Sequence, residues 1–219
     1  MKMKMKIKNM EIELKRLKKM MFFEKKLYYK GFNIICGVDE AGRGPLMGPV
    51  VAAAVILPKD LLIPGVNDSK KVSEKNREFL YNEIIENALC YSVGIVDEKR
   101  IDEINILNAT KEAMRIAVKG LGIIPDHILI DAVKLDGVQI EITPIIGGDA
   151  LSQSIAAASI IAKVTRDRIV LELDKEYPNY GFKTNKGYGT PEHISALKIH
   201  GPLPIHRRSF IKNFFHEEV

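Results

Sequence analysis

The feature that most constrains the fold of this chain is a pair of adjacent acids between two apolar segments, in the sequence GVDEAGRGPLMGP at residues 37–49. The flanking apolar segments, residues 34–36 and 50–57, are typical of buried strands. Buried strands rarely carry unpaired acids, because removing a carboxylate from water is costly unless a cation meets it. Asp39 and Glu40 therefore predict a cation site where the first strand ends.

Apolar strand-like segments alternate with helix-like segments through the rest of the chain. The strand-like segments are residues 34–39, 50–57, 89–96, 127–131 and 138–146, and the helix-like segments are residues 73–88, 97–120 (one or two helices) and 152–173. Thr190 followed by Pro191 predicts a short helix that Gly201 ends. The pattern predicts an α/β fold with a mixed central sheet flanked by helices and a small helical C-terminal part.

Composition limits the classes of protein to which the chain can belong. With 219 residues, 46% of them hydrophobic, we expect one core in a domain of residues 31–219, preceded by an extension of residues 1–30. Two cysteines without metal-type spacing favour reduced thiols in the cytoplasm. No apolar run approaches the ~20 residues that span a bilayer, so no membrane partner is expected. We also expect a monomer.

The positive charge is concentrated at the N-terminus. Residues 1–30 contain ten lysines and one arginine against three glutamates, and their apolar residues have helical spacing. One interpretation is a solvated helix that packs loosely on the domain; the other is a contact with nucleic acid. The second interpretation predicts that deleting residues 1–26 weakens binding to a nucleic-acid duplex and flattens the salt dependence of that binding.

Four acids interrupt or follow apolar segments at the boundaries of predicted elements: Asp39, Glu40, Asp131 and Asp149. Taken singly, Asp149 could cap the next helix and Asp131 could end a strand. As a group they would repel one another unless a divalent cation held them, and an all-oxygen ligand set favours Mg²⁺ or Mn²⁺. The histidines and cysteines lack zinc-type spacing, so zinc is disfavoured.

Several motifs closely resemble bacterial ribonuclease HII. They are DEAGRGP (39–45), NDSKK (67–71), GDALSQSIAAASIIAKVTRDR (148–168), KGYGT (186–190) and IHRRSF (205–210). The resemblance implies an RNase H-like fold and a metal-dependent endonuclease. The implied substrates are RNA–DNA hybrids and duplex DNA that contains single ribonucleotides, cut on the 5′ side of the ribonucleotide to leave a 3′-hydroxyl and a 5′-phosphate.

The resemblance also implies roles for individual residues. The four acids match the family's active-site acids and would hold two Mn²⁺ or Mg²⁺ ions, with Asp39 as the candidate bridging ligand. Gly42-Arg43-Gly44 matches a loop that recognises the ribonucleotide 2′-hydroxyl through main-chain groups. Tyr188 matches a tyrosine that stacks on the sugar of the following nucleotide. Ser69 and Lys70 resemble contacts to the phosphate backbone.

Two positions depart from the family pattern, where Gly147 replaces a lysine and Asn185 replaces a histidine. These departures concern substrate contacts or rate rather than the acids.

Two basic clusters each have two possible interpretations. Lys163, Arg166 and Arg168 fit either phosphate contacts or a solvated helix face, and the segment 206–208 fits either a nucleic-acid backbone contact or pairing with acids.

Two alternative functions remain. A ribonuclease HIII is disfavoured because the GRG loop carries arginine and only about 30 residues precede the core. A non-catalytic hybrid-binding protein is disfavoured by the presence of all four acids.

Overall fold

The computed structural model describes residues 2–215, with side chains from residue 9 onward. The first lysines of the basic segment and the last four residues of the C-terminal tail therefore lie outside the described side chains. The described residues form five strands: β1 Ile35–Ala41, β2 Val50–Ile56, β3 Cys90–Val96, β4 His127–Asp131 and β5 Glu141–Ile145. The α-helices are α1 Lys2–Met20, α2 Phe22–Tyr29, α3 Glu74–Asn87, α4 Glu98–Lys119, α5 Gly148–Leu151, α6 Gln153–Glu176, α7 Phe182–Asn185, α8 Pro191–His200 and α9 Arg208–Ile211. None of the helices described here is both long and apolar enough to cross a membrane.

The strands form one mixed sheet in the order β3-β2-β1-β4-β5. β1, β2 and β3 are antiparallel neighbours, whereas β4 runs parallel to both β1 and β5. The predicted mixed sheet is therefore confirmed, with β1 at its centre. A central strand flanked by parallel and antiparallel neighbours is buried on both faces, which explains why β1 carries no charge before Asp39.

Helices cover both faces of the sheet. α6 and α3 pack on one face, and α4 packs on the other. The first half of α6 is rich in buried small residues, including Ala156, Ala157 and Ala158. This close packing needs glycine in β1, since a Cβ on Gly37 would lie 2.1 Å from the carbonyl carbon of Ser154. The small-residue face is thus a close-packed helix–sheet contact.

The N-terminal extension packs tightly, not loosely, on the domain. α1 and α2 bury Leu17, Met20, Met21 and Leu27 against the body. Glu24 is fully buried and accepts hydrogen bonds from the Ser152 hydroxyl (2.6 Å) and from a main-chain N–H of α6. Deleting residues 1–26 would therefore uncover core, and surface substitutions are the cleaner test of a nucleic-acid role.

Two element predictions are refined by the structure. The segment predicted as one or two helices is interrupted at Asn105, where φ is +65°, so α4 consists of two helical pieces. The short helix begins as predicted, with Thr190 accepting a hydrogen bond from the N–H of His193 and Pro191 in its first turn. The strand predicted over residues 138–146 is shorter, because β5 pairs with β4 only through Glu141–Ile145.

Candidate active site

Three of the four predicted acids converge at the C-terminal ends of the neighbouring parallel strands β1 and β4. β1 and β4 are parallel, and Val38 pairs with Ile130, so the next residues, Asp39 and Asp131, lie side by side. Oxygen atoms of Asp39, Asp131 and Asp149 all lie within 4.8 Å of one another. The parallel register, which no local pattern specifies, therefore brings together acids far apart in the chain.

The turn after β5 places the third acid. Gly147 has φ +67° and precedes α5, whose second residue is Asp149. The N–H of Gly148 donates a 2.7 Å hydrogen bond to Oδ1 of Asp131, and a Cβ on Gly148 would lie 2.6 Å from Ile155. A glycine is thus needed at 148 for the turn to approach β4 closely. The left-handed backbone at 147, where the family pattern has lysine, is one that glycine adopts without strain.

The electrostatics of the group favour a bound cation. Burial raises the pKa of the Asp39 carboxyl well above its ordinary value, and Glu40 raises it further. Burial also raises the pKa of Asp149, with added repulsion from Asp68 and Asp131. These shifts report the cost of placing several carboxylates together in a poorly solvated site, which a divalent cation would offset. The donor set therefore fits Mg²⁺ or Mn²⁺.

Glu40 occupies a different position from the other three acids. β1 continues through Ala41, so Asp39 and Glu40 are consecutive strand residues that face opposite sides of the sheet. Oε1 of Glu40 lies 3.3 Å from the Arg43 guanidinium, and its Oε2 is buried without a hydrogen-bond partner among residues 2–215. Burial raises the pKa of Glu40, while Arg43 opposes that rise. Its unpartnered buried oxygen is available to a cation or substrate.

A cavity of about 570 Å³ adjoins the acids. Its lining includes seven residues to which the sequence analysis assigned a role in the site, Glu40, Gly42, Arg43, Gly44, Ser69, Lys70 and Tyr188. The half-exposed ring of Tyr188 lies against the loop, because a Cβ on Gly44 would be 3.4 Å from its Cε1. Ile106 and Phe210 also line the cavity and were not predicted, since no sequence signal distinguishes them from core residues.

A buried arginine holds the glycine loop from behind. Arg207 donates five hydrogen bonds of 2.7–3.0 Å to the main-chain carbonyls of Gly42, Arg43, Pro45 and Gly48. Burial lowers the pKa of Arg207 to about 9, which leaves it charged at neutral pH. Neither interpretation of segment 206–208 anticipated this, because Arg207 contacts the protein's own carbonyls rather than acids or nucleic acid.

A second buried arginine and an asparagine fix the KGYGT segment. Arg166 donates to the carbonyls of Lys186, Met47 and Pro49, so it is neither a phosphate contact nor part of a solvated face. The Asn185 side chain donates to the Tyr180 carbonyl and accepts from the N–H of Gly187, both at 2.8 Å. Asn185, the second departure from the family pattern, therefore shapes the turn that presents Tyr188.

The remaining predicted polar residues differ in how accessible they are. Lys70 is exposed on the cavity rim, whereas the Ser69 side chain is buried and accepts a 3.0 Å hydrogen bond from the Ser159 hydroxyl. Lys163 also lines the cavity but pairs with Asp167 at 2.6 Å. Lys70 and Arg43 are thus the more accessible cations of this cavity.

Comparisons with known proteins identify the family. The family model described as Ribonuclease HII matches residues 36–213. The Ribonuclease HII of Ruminiclostridium cellulolyticum is 61% identical over 202 residues, covering 92% of this chain and 79% of that protein.

Among solved structures, ribonuclease H2 from Pyrococcus horikoshii OT3 is similar with a TM-score of 0.70 and 30% identity, covering 83% of this chain and 96% of that one. The RNase HII of the PCNA:RNase HII complex from Archaeoglobus fulgidus gives a TM-score of 0.66 at 27% identity, covering 80% and 93%. The RNase H-like fold is therefore confirmed.

The family match spans both the acids and the loops around the cavity. The sequence resemblance is thus confirmed by the family model, by close relatives and by the fold. Ribonucleases H act with divalent metal ions, which the acidic group described above suits. This chain belongs to the ribonuclease HII family and is a ribonuclease H, a nuclease that hydrolyses RNA in RNA–DNA hybrids.

Proposed function

We propose that this ribonuclease H also cuts duplex DNA on the 5′ side of a single embedded ribonucleotide, leaving a 3′-hydroxyl and a 5′-phosphate. The observation that carries the proposal is the position of Asp39, Asp131 and Asp149, whose oxygens lie within 4.8 Å of one another beside a cavity lined by a glycine loop and a half-exposed tyrosine. A site built to contact one 2′-hydroxyl needs only one ribonucleotide in the duplex.

In this proposal Asp39, Asp131, Asp149 and Glu40 hold the divalent ions, two Mg²⁺ or Mn²⁺. When bound, such ions activate water and stabilise the leaving oxygen of a phosphodiester. Asp39 is the candidate bridging ligand, because it is the most buried of the converging acids and lies beside Asp131 on the neighbouring strand. Glu40 contributes through its buried, unpartnered Oε2.

The glycine loop reads the 2′-hydroxyl through main-chain groups. The amide N–H groups of Arg43 and Gly44 have no hydrogen-bond partner within residues 2–215, whereas the carbonyls of Gly42 and Arg43 accept hydrogen bonds from Arg207. These two N–H groups are therefore free to donate to a substrate oxygen. Because the loop is held from behind, it reaches the substrate with little further loss of entropy.

The other cavity residues position the strand. Tyr188 offers a half-exposed ring beside the loop, suited to stacking on the sugar of the nucleotide that follows the ribonucleotide. Lys70 contacts a phosphate from the rim, and Ser69 supports it from below through Ser159. Phosphate contacts of this kind position the duplex, while the 2′-hydroxyl contact specifies the cut.

We further propose that the enzyme works as a monomer in the cytoplasm. Cys36 is buried and Cys90 is half-buried, and both are free thiols, as a reducing compartment requires. Size-exclusion chromatography with light scattering tests the oligomeric state.

The decisive experiment compares a DNA duplex that contains one ribonucleotide with an all-RNA/DNA hybrid, each with Mg²⁺, with Mn²⁺ and with a chelator. We expect one metal-dependent cut 5′ to the ribonucleotide. Cleavage of the hybrid alone would refute the roles given to the glycine loop and Tyr188. D39N should abolish cleavage while hybrid binding persists, and loss of both binding and folding would show that Asp39 is structural.

A further inference from the structure

A second surface with chemistry of its own lies on the N-terminal helices. α1, α2 and the end of α5 enclose an open groove of about 800 Å³. Its lining combines apolar and basic side chains and consists of Phe22, Phe23, Tyr29 and Leu151 with Lys18, Lys19, Lys25 and Lys26. None of these residues belongs to the cavity beside the acids.

The aromatic residues of the groove are unusually exposed. The exposed fraction is 60% for Phe22 and 96% for Tyr29, and Phe22 meets Phe23 edge-to-face with ring centroids 5.3 Å apart. Several large apolar side chains exposed together commonly mark a binding surface. Most of the surface of the Phe22 and Tyr29 side chains is therefore left uncovered by the described residues.

The lysines of the groove carry uncompensated charge. All four are exposed, and none forms an ion pair with any side chain among residues 9–215. Four adjacent ammonium groups around aromatic rings complement a polyanion that also has planar apolar groups. A protein partner of acidic character would match the lysines but would not require the rings to be so exposed.

The groove is held rigidly beside the acids. Leu151 of its lining is two residues from Asp149 in α5. Glu24 of α2 bonds Ser152 and the N–H of Ser154, which directly follow α5. These hydrogen bonds join α2, which carries much of the groove, to the segment that follows Asp149.

We infer that this groove binds a single-stranded segment of nucleic acid that extends from the substrate duplex. Its bases stack on Phe22 and Tyr29 while its phosphates meet the lysines. A single strand fits better than a duplex, because paired bases keep their faces stacked on one another and leave none for the rings. The inference rests on the proposed function only for the identity of the duplex to which the strand belongs.

The test begins with binding alone. Fluorescence anisotropy measures the affinity of a labelled oligothymidine of about 12 nucleotides, within the usual range of single-strand sites. F22A and Y29A should each weaken binding about tenfold. F79A is the matched control, since Phe79 has an exposed fraction of 61% on α3, outside the groove. Replacing the four lysines by alanine should reduce the salt slope of binding by about 3.

Cleavage then tests where the single strand lies. A hybrid with a single-stranded tail should be bound more tightly than a blunt hybrid, and F22A should remove that difference without changing cleavage of the blunt hybrid. Equal oligothymidine affinity for F22A and F79A would overturn the inference. Equal weakening of blunt duplex binding would instead indicate a duplex surface, and a dimer that F22A dissociates would indicate self-association; either result overturns it.

The two proposals fail separately. Binding of oligothymidine requires no cleavage, so loss of the 5′ cut at a ribonucleotide leaves the groove assignment standing. Conversely, a groove that binds no oligothymidine would leave the proposed roles of the acids, the glycine loop and Tyr188 unchanged.

Discussion

The substitution R207K tests whether the buried arginine behind the glycine loop controls both stability and catalysis. Arg207 donates five hydrogen bonds to four main-chain carbonyls and is fully buried. Lysine has three donors on one atom, so at least two of these bonds must be lost. With about 1.5–3 kcal/mol for each bond from a charged donor, the free energy of unfolding should fall by about 3–6 kcal/mol.

The catalytic effect follows from the same contacts. Releasing the carbonyls of Gly42 and Arg43 lets the loop move relative to the acids, and a misplacement of about 1 Å lowers rates by up to about 100-fold. We expect kcat/KM on the ribonucleotide-containing duplex to fall in that range in R207K. Because this loss is a large part of the roughly 5–15 kcal/mol stability of a domain, the rate is measured only under conditions where circular dichroism shows R207K to be folded.

The control is the same substitution one residue later. Arg208 is exposed, so R208K should leave both quantities close to wild type. Urea unfolding followed by circular dichroism gives the free energy, and single-turnover cleavage gives the rate. If R207K matched R208K in both measurements, the five hydrogen bonds would contribute nothing and the reasoning would be refuted.

Three further predictions concern buried groups. Burial and His193 lower the pKa of His206 to about 4, below its unfolded value of 6.5. Between pH 6.5 and about 4 the unfolded chain binds a proton that the folded chain does not, so the free energy of unfolding should fall by up to about 3 kcal/mol. Urea titrations at several pH values measure this fall, which should be smaller in H206Q. Burial raises the pKa of Glu24, so the contribution of Glu24 to stability falls as pH rises above 4.5. E24Q should flatten this pH dependence and be more stable than the wild type at pH 8. An unchanged pH profile of stability in E24Q would contradict the prediction. G37A should cost about 1–3 kcal/mol in thermal unfolding, because its Cβ would collide with Ser154 on α6, and a wild-type melting temperature would show that α6 can shift freely.

Much of the site was predictable from local sequence. Asp39, Asp131 and Asp149 each follow an apolar strand segment, and the glycines around Arg43 indicate an irregular turn. Such signals need only a few neighbouring residues, because strand burial and turn conformation depend on short-range pattern. The same is true of Thr190 and Pro191, which begin a helix through contacts within one turn.

The burial of charged residues could not be predicted in this way. Arg207 lies 165 positions from Gly42, and Glu24 lies 128 positions from Ser152, so neither partner is visible in a local window. Residue type alone favours exposure of both side chains, because a charged group is buried only where specific partners offset its desolvation. Tertiary packing supplied those partners.

Local pattern therefore predicted the candidate acids and the candidate loop of this nuclease, whereas long-range packing determined their mutual geometry. The parallel register of β1 and β4 sets Asp39 beside Asp131. Because successive strand residues face opposite sides of the sheet, Glu40 points away from Asp39. The basic N-terminus was recognisable from its lysines, but its rigid attachment to α6 through Glu24 was not. The physical reason is that residue type sets what a side chain can bind, while chain topology sets which groups come within its reach.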